Sequence, residues 1–262
     1  MKIPLKIISL DLLEQFKADF DKKLKSSFEK LHDSELSIDS FSFYTSVSAV
    51  FSSKIEGEDI ELDSYIRHKR FGTKYQPDYT RKIDDLYEAY IFAQKNELTA
   101  KTLEQSHAQL TKHILQKSQQ GKFRTGNMFI VTNDGKIEYI AASPENVKTE
   151  MKKLYADIEM LLATEMSFEE VFFFASMLHL VFVKIHPFED GNGRVSRLLE
   201  KWFLAQKLGD NAWFIQSEKN YYTQHQTYYT NIRRLGLEYD ELKYSEALPF
   251  LLMLPNAINF KD

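Results

Sequence analysis

Residues Phe168 to Ile185 are apolar on almost every face of the helix their spacing predicts, with Phe172, Phe173, Phe174, Leu178, Val181 and Phe182 leaving no polar stripe. A helix of that kind has to be enclosed by other elements. Charged and histidine interruptions, and the lack of any uninterrupted apolar run approaching roughly 18 residues, set it in a domain core and not in a membrane. A chain of 262 residues with 43% hydrophobic content is long enough to build such a core as one large domain or as a core with an added N-terminal element. Having no Cys, it excludes disulfides, a thiolate nucleophile and Cys-bound zinc. A net charge of −4 gives no general pull toward nucleic acid or an anionic membrane.

The stretch after that helix runs His186-Pro187-Phe188-Glu189-Asp190-Gly191-Asn192-Gly193-Arg194-Val195-Ser196-Arg197. A Pro stops the first helix, and two glycines open a second over 195–208. The N–H groups of a helix start lack intrahelical partners and carry the positive end of the dipole, so an anion fits there. Gly191 and Gly193 allow close backbone approach, while Arg194 and Arg197 add charge that can grip phosphate oxygens in pairs. Asp190 is a hard oxygen ligand of the kind Mg²⁺ shares with phosphates. An EF-hand would need alternating Asp or Asn before its Gly and a closing Glu, and a dinucleotide turn would need a third Gly where Ser196 stands. A plain helix-turn-helix connection accounts for the glycines alone, but not for His, Asp and two Arg within the same stretch.

Those residues resemble the signature of the Fic family, His-Pro-Phe-x-Asp/Glu-Gly-Asn-Gly-Arg-x-x-Arg, at every fixed position. The resemblance implies a protein adenylyltransferase that moves AMP from ATP to a Ser, Thr or Tyr hydroxyl of a target protein and releases pyrophosphate. Carried over by position, His186 is the base, Asp190 the Mg²⁺ ligand, and Gly191, Asn192 and Gly193 the cradle for the α- and β-phosphates. Arg194 and Arg197 hold the β- and γ-phosphates, and Phe188 anchors the loop. Doc-type relatives, which phosphorylate, carry Lys where Gly193 stands. The residue types suit this chemistry independently, because transfer at phosphorus needs positioning, charge stabilisation and a base that titrates near neutrality.

Far upstream, Ser52-Ser53-Lys54-Ile55-Glu56-Gly57 resembles the family's inhibitory motif, Ser/Thr-x-x-x-Glu-Gly/Asn. The resemblance implies that Glu56 pairs with Arg197 and fills the place of the γ-phosphate. The plain alternative is a helix closed by Gly57 with Glu56 in solvent.

In chain order, residues 11–32 predict one amphipathic helix through Leu13, Phe16, Phe20, Leu24, Phe28 and Leu31, and residues 41–56 a second. Residues 72–78 read as an exposed loop, followed by helices over 81–95 and 103–116, the latter with a structural His107. Strands 128–131 and 137–141 around Thr132-Asn133-Asp134-Gly135 predict a β-hairpin. In the family such a hairpin, the flap, follows a Gly-x-x-Arg segment like 121–124 and aligns the target by strand pairing, which here implicates Ile130, Val131 and Thr132. Ser143 and Pro144 read as N-cap and first residue of a further helix, and His179 as a hydrogen-bonded core histidine. Residues 198–208 read as amphipathic. Relatives border the adenine with a Tyr-Tyr pair; Tyr221-Tyr222 and Tyr228-Tyr229 both qualify, and Tyr228-Tyr229, followed by Ile232, is preferred.

The expectation is a mostly α, Fic-type helical core with a small β-hairpin flap. Residues 1–95 form an N-terminal helical region with an inhibitory helix around 46–57. Residues 96–235 form the core, with the flap at 127–142 and the active-site loop at 186–197, and 236–262 a C-terminal helical tail. Mg²⁺ is the expected cofactor and ATP the co-substrate. The expected partner is a target hydroxyl, with self-modification and a homo-oligomer left open, in the cytoplasm, away from membrane and nucleic acid. Removal of AMP by the same site and a nucleotide-sensing role are the alternatives.

Overall fold

Ser167 starts the apolar helix through a capping box: its hydroxyl accepts from the Glu170 N–H at 3.3 Å, and the Glu170 carboxylate accepts from the Ser167 N–H at 2.7 Å. In the computed structural model, which describes residues 4–38, 41–75, 77–131 (of 77–79 the backbone alone) and 137–259, every residue from Val171 to Phe182 is buried.

In chain order the elements are α1 (Leu13–Asp19), α2 (Lys23–Glu29), α3 (Phe43–Ile55), α4 (Leu62–Phe71), α5 (Pro77–Gln94), α6 (Ala100–Leu110), β1 (Phe129–Val131), β2 (Ile137–Ile140) and α7 (Pro144–Ala163). They continue with α8 (Phe168–Ile185), α9 (Asn192–Leu208), α10 (Ser217–Thr223), α11 (His225–Arg233), α12 (Leu248–Leu251) and α13 (Met253–Asn256). The fold is thus mostly helical, with one two-stranded antiparallel sheet among the described residues. Among the described residues no helix is long and apolar enough to cross a membrane.

Helices α8 and α9 form the most extensive pair and make the centre. The amphipathic reading of 198–208 is corrected here: Arg194 to Leu204 are all buried, because α3, α5, α6 and α7 also pack on α9. Its charged residues survive enclosure by pairing, with Lys201 2.5 Å from Glu218 and 2.7 Å from the Ser48 hydroxyl.

Sequence periodicity overran several boundaries. The helix expected over 11–32 breaks where Phe20 turns extended (ψ 124°) and the Asp21 carboxylate accepts the Lys23 N–H at 2.9 Å. The break lets Phe16 meet Phe173 and Phe28 meet Phe168, with ring centroids 5.5 and 5.3 Å apart. Helix α4 escaped the pattern because it buries Tyr65 alone. Helix α5 starts at Pro77, shortening the expected 72–78 loop. Helix α6 stops at Leu110, since the Thr111 hydroxyl donates back to the His107 carbonyl and Asp85 accepts the His113 N–H at 3.0 Å. Ser143 occupies the N-cap position of α7, but its side chain makes no capping bond.

In the hairpin, Phe129 pairs with Ile140 and Ile130 with Tyr139; the turn at Thr132-Asn133-Asp134-Gly135 lies outside the described residues. The far edge of β2 is partly covered, the Ile140 N–H donating to the Leu237 carbonyl at 2.8 Å. The C-terminal segment is packed into the same hydrophobic cluster as Phe16 and Phe172, with Phe250, Leu251 and Leu254 fully buried.

Candidate active site

Helix α8 ends on His186, the one described non-glycine residue with positive φ (+51°), which turns the chain sharply off the helix axis. Its Nδ1 donates to the Val183 carbonyl at 3.1 Å, which leaves Nε2 as the unprotonated nitrogen beside the cavity His186 lines. Burial pushes the imidazole down to about 4, so it is neutral at pH 7.

Residues outside the signature hold this loop. The Arg124 side chain donates to four carbonyls, those of His186 (2.7 Å), Gly126 (2.7 Å), Ile185 (3.3 Å) and Ala142, while its own N–H donates to the Pro187 carbonyl at 2.9 Å. One guanidinium therefore joins the end of α8 to both roots of the hairpin. Phe188 is buried and stacks on His107 with centroids 3.6 Å apart. His107 accepts the Gly121 N–H on Nδ1 (2.9 Å) and donates from Nε2 to the Asp190 carbonyl (3.0 Å). The structural role expected of His107 is thus fixation of the loop.

The Asn192 side chain faces inward, accepting from the Phe188 N–H at 2.9 Å and donating to the Phe188 carbonyl at 2.8 Å. What it offers an anion is its backbone N–H, with those of Gly193 and Arg194, at the start of α9. Gly191 sits at φ +81°, and a Cβ there would come within 2.8 Å of the Thr111 methyl. Asp190 is exposed, and one carboxylate oxygen accepts the Gly191 N–H. A solvent-facing carboxylate beside an anion-binding turn suits a Mg²⁺ that takes its remaining oxygens from phosphates and water; among the described residues no cluster of His, Asp or Glu forms an all-protein cage.

Against this turn lies the end of α3. Gly57 (φ +88°) follows the helix, and Glu56 sets Oε1 2.6 Å from Arg197 Nη2. Arg197 also donates from Nε to the Ser52 hydroxyl (2.9 Å) and from Nη2 to the Ser52 carbonyl (3.1 Å). Burial alone would raise the Glu56 carboxyl, but Arg197 and then Arg194 outweigh it and hold it below the usual carboxylate value. A Cβ on Gly193 would overlap Glu56 Oε1 and come within 3.2 Å of Arg197 Nη1. The second motif arginine has its own acid, which the sequence reading missed: Glu58 lies 3.6 Å from Arg194 and 2.9 Å from Lys82.

The cavity in front of His186 holds about 260 Å³ and is walled by Glu56, Gly193 and Arg197 toward α9, by Tyr228, Tyr229 and Ile232 of α11, and by Ile130 and Tyr139 of the hairpin. Tyr221 is buried in the core, where it donates to Glu200 (2.8 Å), and Tyr222 packs on Phe51; neither is among the lining residues. The Tyr228 hydroxyl bonds His179 Nε2 at 2.9 Å, whose Nδ1 meets Glu200 at 2.7 Å, so His179 is a hydrogen-bonded core residue that steadies the wall. Val131 points outward, 56% exposed, and Thr132 lies outside the described residues.

Residues 97–204 match the model of the Fic/DOC family. None of the curated proteins compared matches the chain. Among solved structures, it is similar to a Fic family protein from Desulfovibrio desulfuricans (TM-score 0.74, 18% identity, covering 98% of this chain and 74% of that one). A Fic domain-containing signaling protein from Bacteroides thetaiotaomicron matches with a TM-score of 0.63 and 16% identity over 94% of this chain and 91% of that one. Residues 134–508 of Fic-1 from C. elegans match with a TM-score of 0.65 and 16% identity over 94% of this chain and 68% of the other. At these identities the likeness establishes a common fold.

Proposed function

We propose that this protein is a Mg²⁺-dependent protein adenylyltransferase that restrains itself through Glu56. The observation that carries the reading is the convergence on one cavity of a neutral His186, the glycine turn at the start of α9, and Arg197 held by a carboxylate. The fold and the Fic/DOC match over 97–204 support nucleotidyl transfer onto protein.

In the proposed reaction His186 Nε2 takes the proton of a target hydroxyl as its oxygen attacks the α-phosphorus of ATP. The bond from that phosphorus to the bridging oxygen breaks, and pyrophosphate leaves. Arg194, Arg197 and the free N–H groups of 192–194 stabilise charge on the phosphates; the N–H groups need no reorganisation because the loop is already fixed, and the arginines serve once their acids release them. Asp190 would hold Mg²⁺, which supplies charge neutralisation at the phosphates. Hairpin residues Ile130 and Val131, with Thr132, would align the target, and Tyr228 and Tyr229 would border the adenine. Glu56 on Arg197 takes up the charge the terminal phosphate would meet, so ATP binds unproductively until the pair opens.

One observation favours the reverse reaction as a second reading. Glu56 is ionised and lines the same cavity as His186, so it is placed to orient a water toward an AMP–protein bond. A pure nucleotide sensor has no use for a neutral imidazole there. The test is incubation of wild type, Glu56→Gly and His186→Ala with α-labelled ATP and Mg²⁺. Strong labelling of protein by Glu56→Gly, weak labelling by wild type and none by His186→Ala supports the transferase; ATP binding without transfer in all three defeats it.

A further inference from the structure

Lys184 is a buried cation on the cavity wall that the proposed reaction does not use. It is 1% exposed, its Nζ has no hydrogen-bond partner, and among the described residues no carboxylate pairs with it. Its neighbour is the Tyr139 ring, with Nζ 3.9 Å from the centroid, and the Tyr139 hydroxyl donates to the Lys184 carbonyl at 2.5 Å. Other buried cations near the site have their acceptors: Arg197 has Glu56, Arg194 has Glu58, Lys201 has Glu218, and Arg124, without an acid, has four carbonyls. Burial pushes the Lys184 ammonium down to about 8, the strain of a charge short of an acceptor.

The cavity has two ends. Glu56, Gly193 and Arg197 mark the phosphate end, while Ile130 and Tyr139 belong to the hairpin that closes the other, where Glu138 is tied to Arg233 at 2.8 Å. Contact with Tyr139 puts Lys184 in the second group. A nucleotide with its phosphates on the α9 turn would run its base between Tyr228 and Tyr229 of α11 and the hairpin side of the same cavity, where Lys184 lies.

We propose that Lys184 contacts the nucleotide base, donating from Nζ to a ring nitrogen, and so contributes to its binding. An ammonium has three donors and no acceptor, so it selects an acceptor edge. On adenine those acceptors are N1, N3 and N7, and the amino group is excluded. The proposal rests on the nucleotide reading of the cavity given above.

Binding is measured in a Glu56→Gly/His186→Ala background, where nucleotide binds without turnover, using ATP, its 1-, 3- and 7-deaza analogues, adenosine and tripolyphosphate. Lys184→Met should weaken ATP and adenosine about tenfold, as loss of a charge-assisted bond does, and leave tripolyphosphate unchanged. One deaza analogue should bind the Lys184 protein about tenfold more weakly than ATP, with no further loss on Lys184→Met. Lys184→Gln, which keeps a donor, should recover part of the loss, and thermal unfolding checks that each variant is folded. Equal ATP affinity with Lys and Met, a penalty seen with tripolyphosphate, or no analogue that couples to the substitution overturns the proposal. If the Lys184 protein binds no ATP, the nucleotide reading falls and this one with it; if ATP binds without coupling, this one alone falls.

Discussion

Glu56 rests its carboxylate on Gly193, on the spot where any other residue at that position would carry its Cβ. The proposed restraint and the turn proposed to bind phosphate would therefore compete for one volume. Gly193→Ala should expel Glu56 from Arg197 and crowd the turn as well, at a stability loss of about 1–3 kcal/mol. Label transfer should then no longer depend on Glu56. In the Gly193→Ala background, Glu56→Gly should change transfer by less than about twofold, while in wild type it raises it at least about tenfold, the factor that about 1.4 kcal/mol of restraint provides. A tenfold rise retained in the Gly193→Ala protein would show that the two do not share the site.

Glu58 would extend the proposed restraint to Arg194. The pair is looser than Glu56 with Arg197, 3.6 against 2.6 Å, and Glu58 is shared with Lys82. Glu58→Gln should raise transfer by about two- to fivefold, in keeping with roughly 0.5–1 kcal/mol for a shared, longer pair. Combined with Glu56→Gly it should raise transfer further, since each acid holds a different arginine. Initial rates for the four proteins decide the matter, and a Glu58→Gln rate equal to wild type counts against a second restraint.

What the sequence showed and what it hid divide along physical lines. The apolar helix, the signature loop and the Glu56 motif lie in contiguous stretches whose chemistry is local. Glu58, Arg124 and Lys184 were overlooked as site residues because their partners are distant in sequence: Arg194, the His186 carbonyl and the Tyr139 ring. The break at Phe20 was invisible to periodicity, since Phe16, Phe20, Leu24 and Phe28 stay buried whether the helix is continuous or split. The Gly121-x-x-Arg124 segment was the one available signal for the arginine clamp, and its glycine meets His107 at 2.9 Å.

His107 makes stability depend on pH. Burial lowers its pKa to about 4, against 6.5 for the free group. The unfolded chain therefore binds the proton first, and the contribution of neutral His107 is complete above pH 6.5 and declines as pH falls from there toward 4. Between pH 7 and 5 this removes about 2 kcal/mol. His107→Gln should be less stable at pH 7, having lost the Phe188 stack, yet its stability should fall less between the two pH values. Urea unfolding at both pH values measures this, and parallel losses in wild type and variant would assign the pH dependence elsewhere.

Arg124→Lys separates charge from geometry. A lysine keeps the cation but cannot serve four carbonyls arrayed around a planar fork, so the carbonyls of Ala142 and Ile185, inside the protein, lose their donor. The loss should be about 2–4 kcal/mol in unfolding free energy. Its effect on function should exceed what stability explains, because the same guanidinium fixes the His186 carbonyl and, through it, the turn that aims Nε2 at the cavity. In the Glu56→Gly background, at a temperature where both proteins are folded, Arg124→Lys should lower transfer at least about tenfold, the scale at which small misplacement of a base acts. ATP affinity should change little, since the arginines and free N–H groups of α9 stay in place. A variant that binds ATP and transfers label at the parent rate would reduce Arg124 to a structural tie.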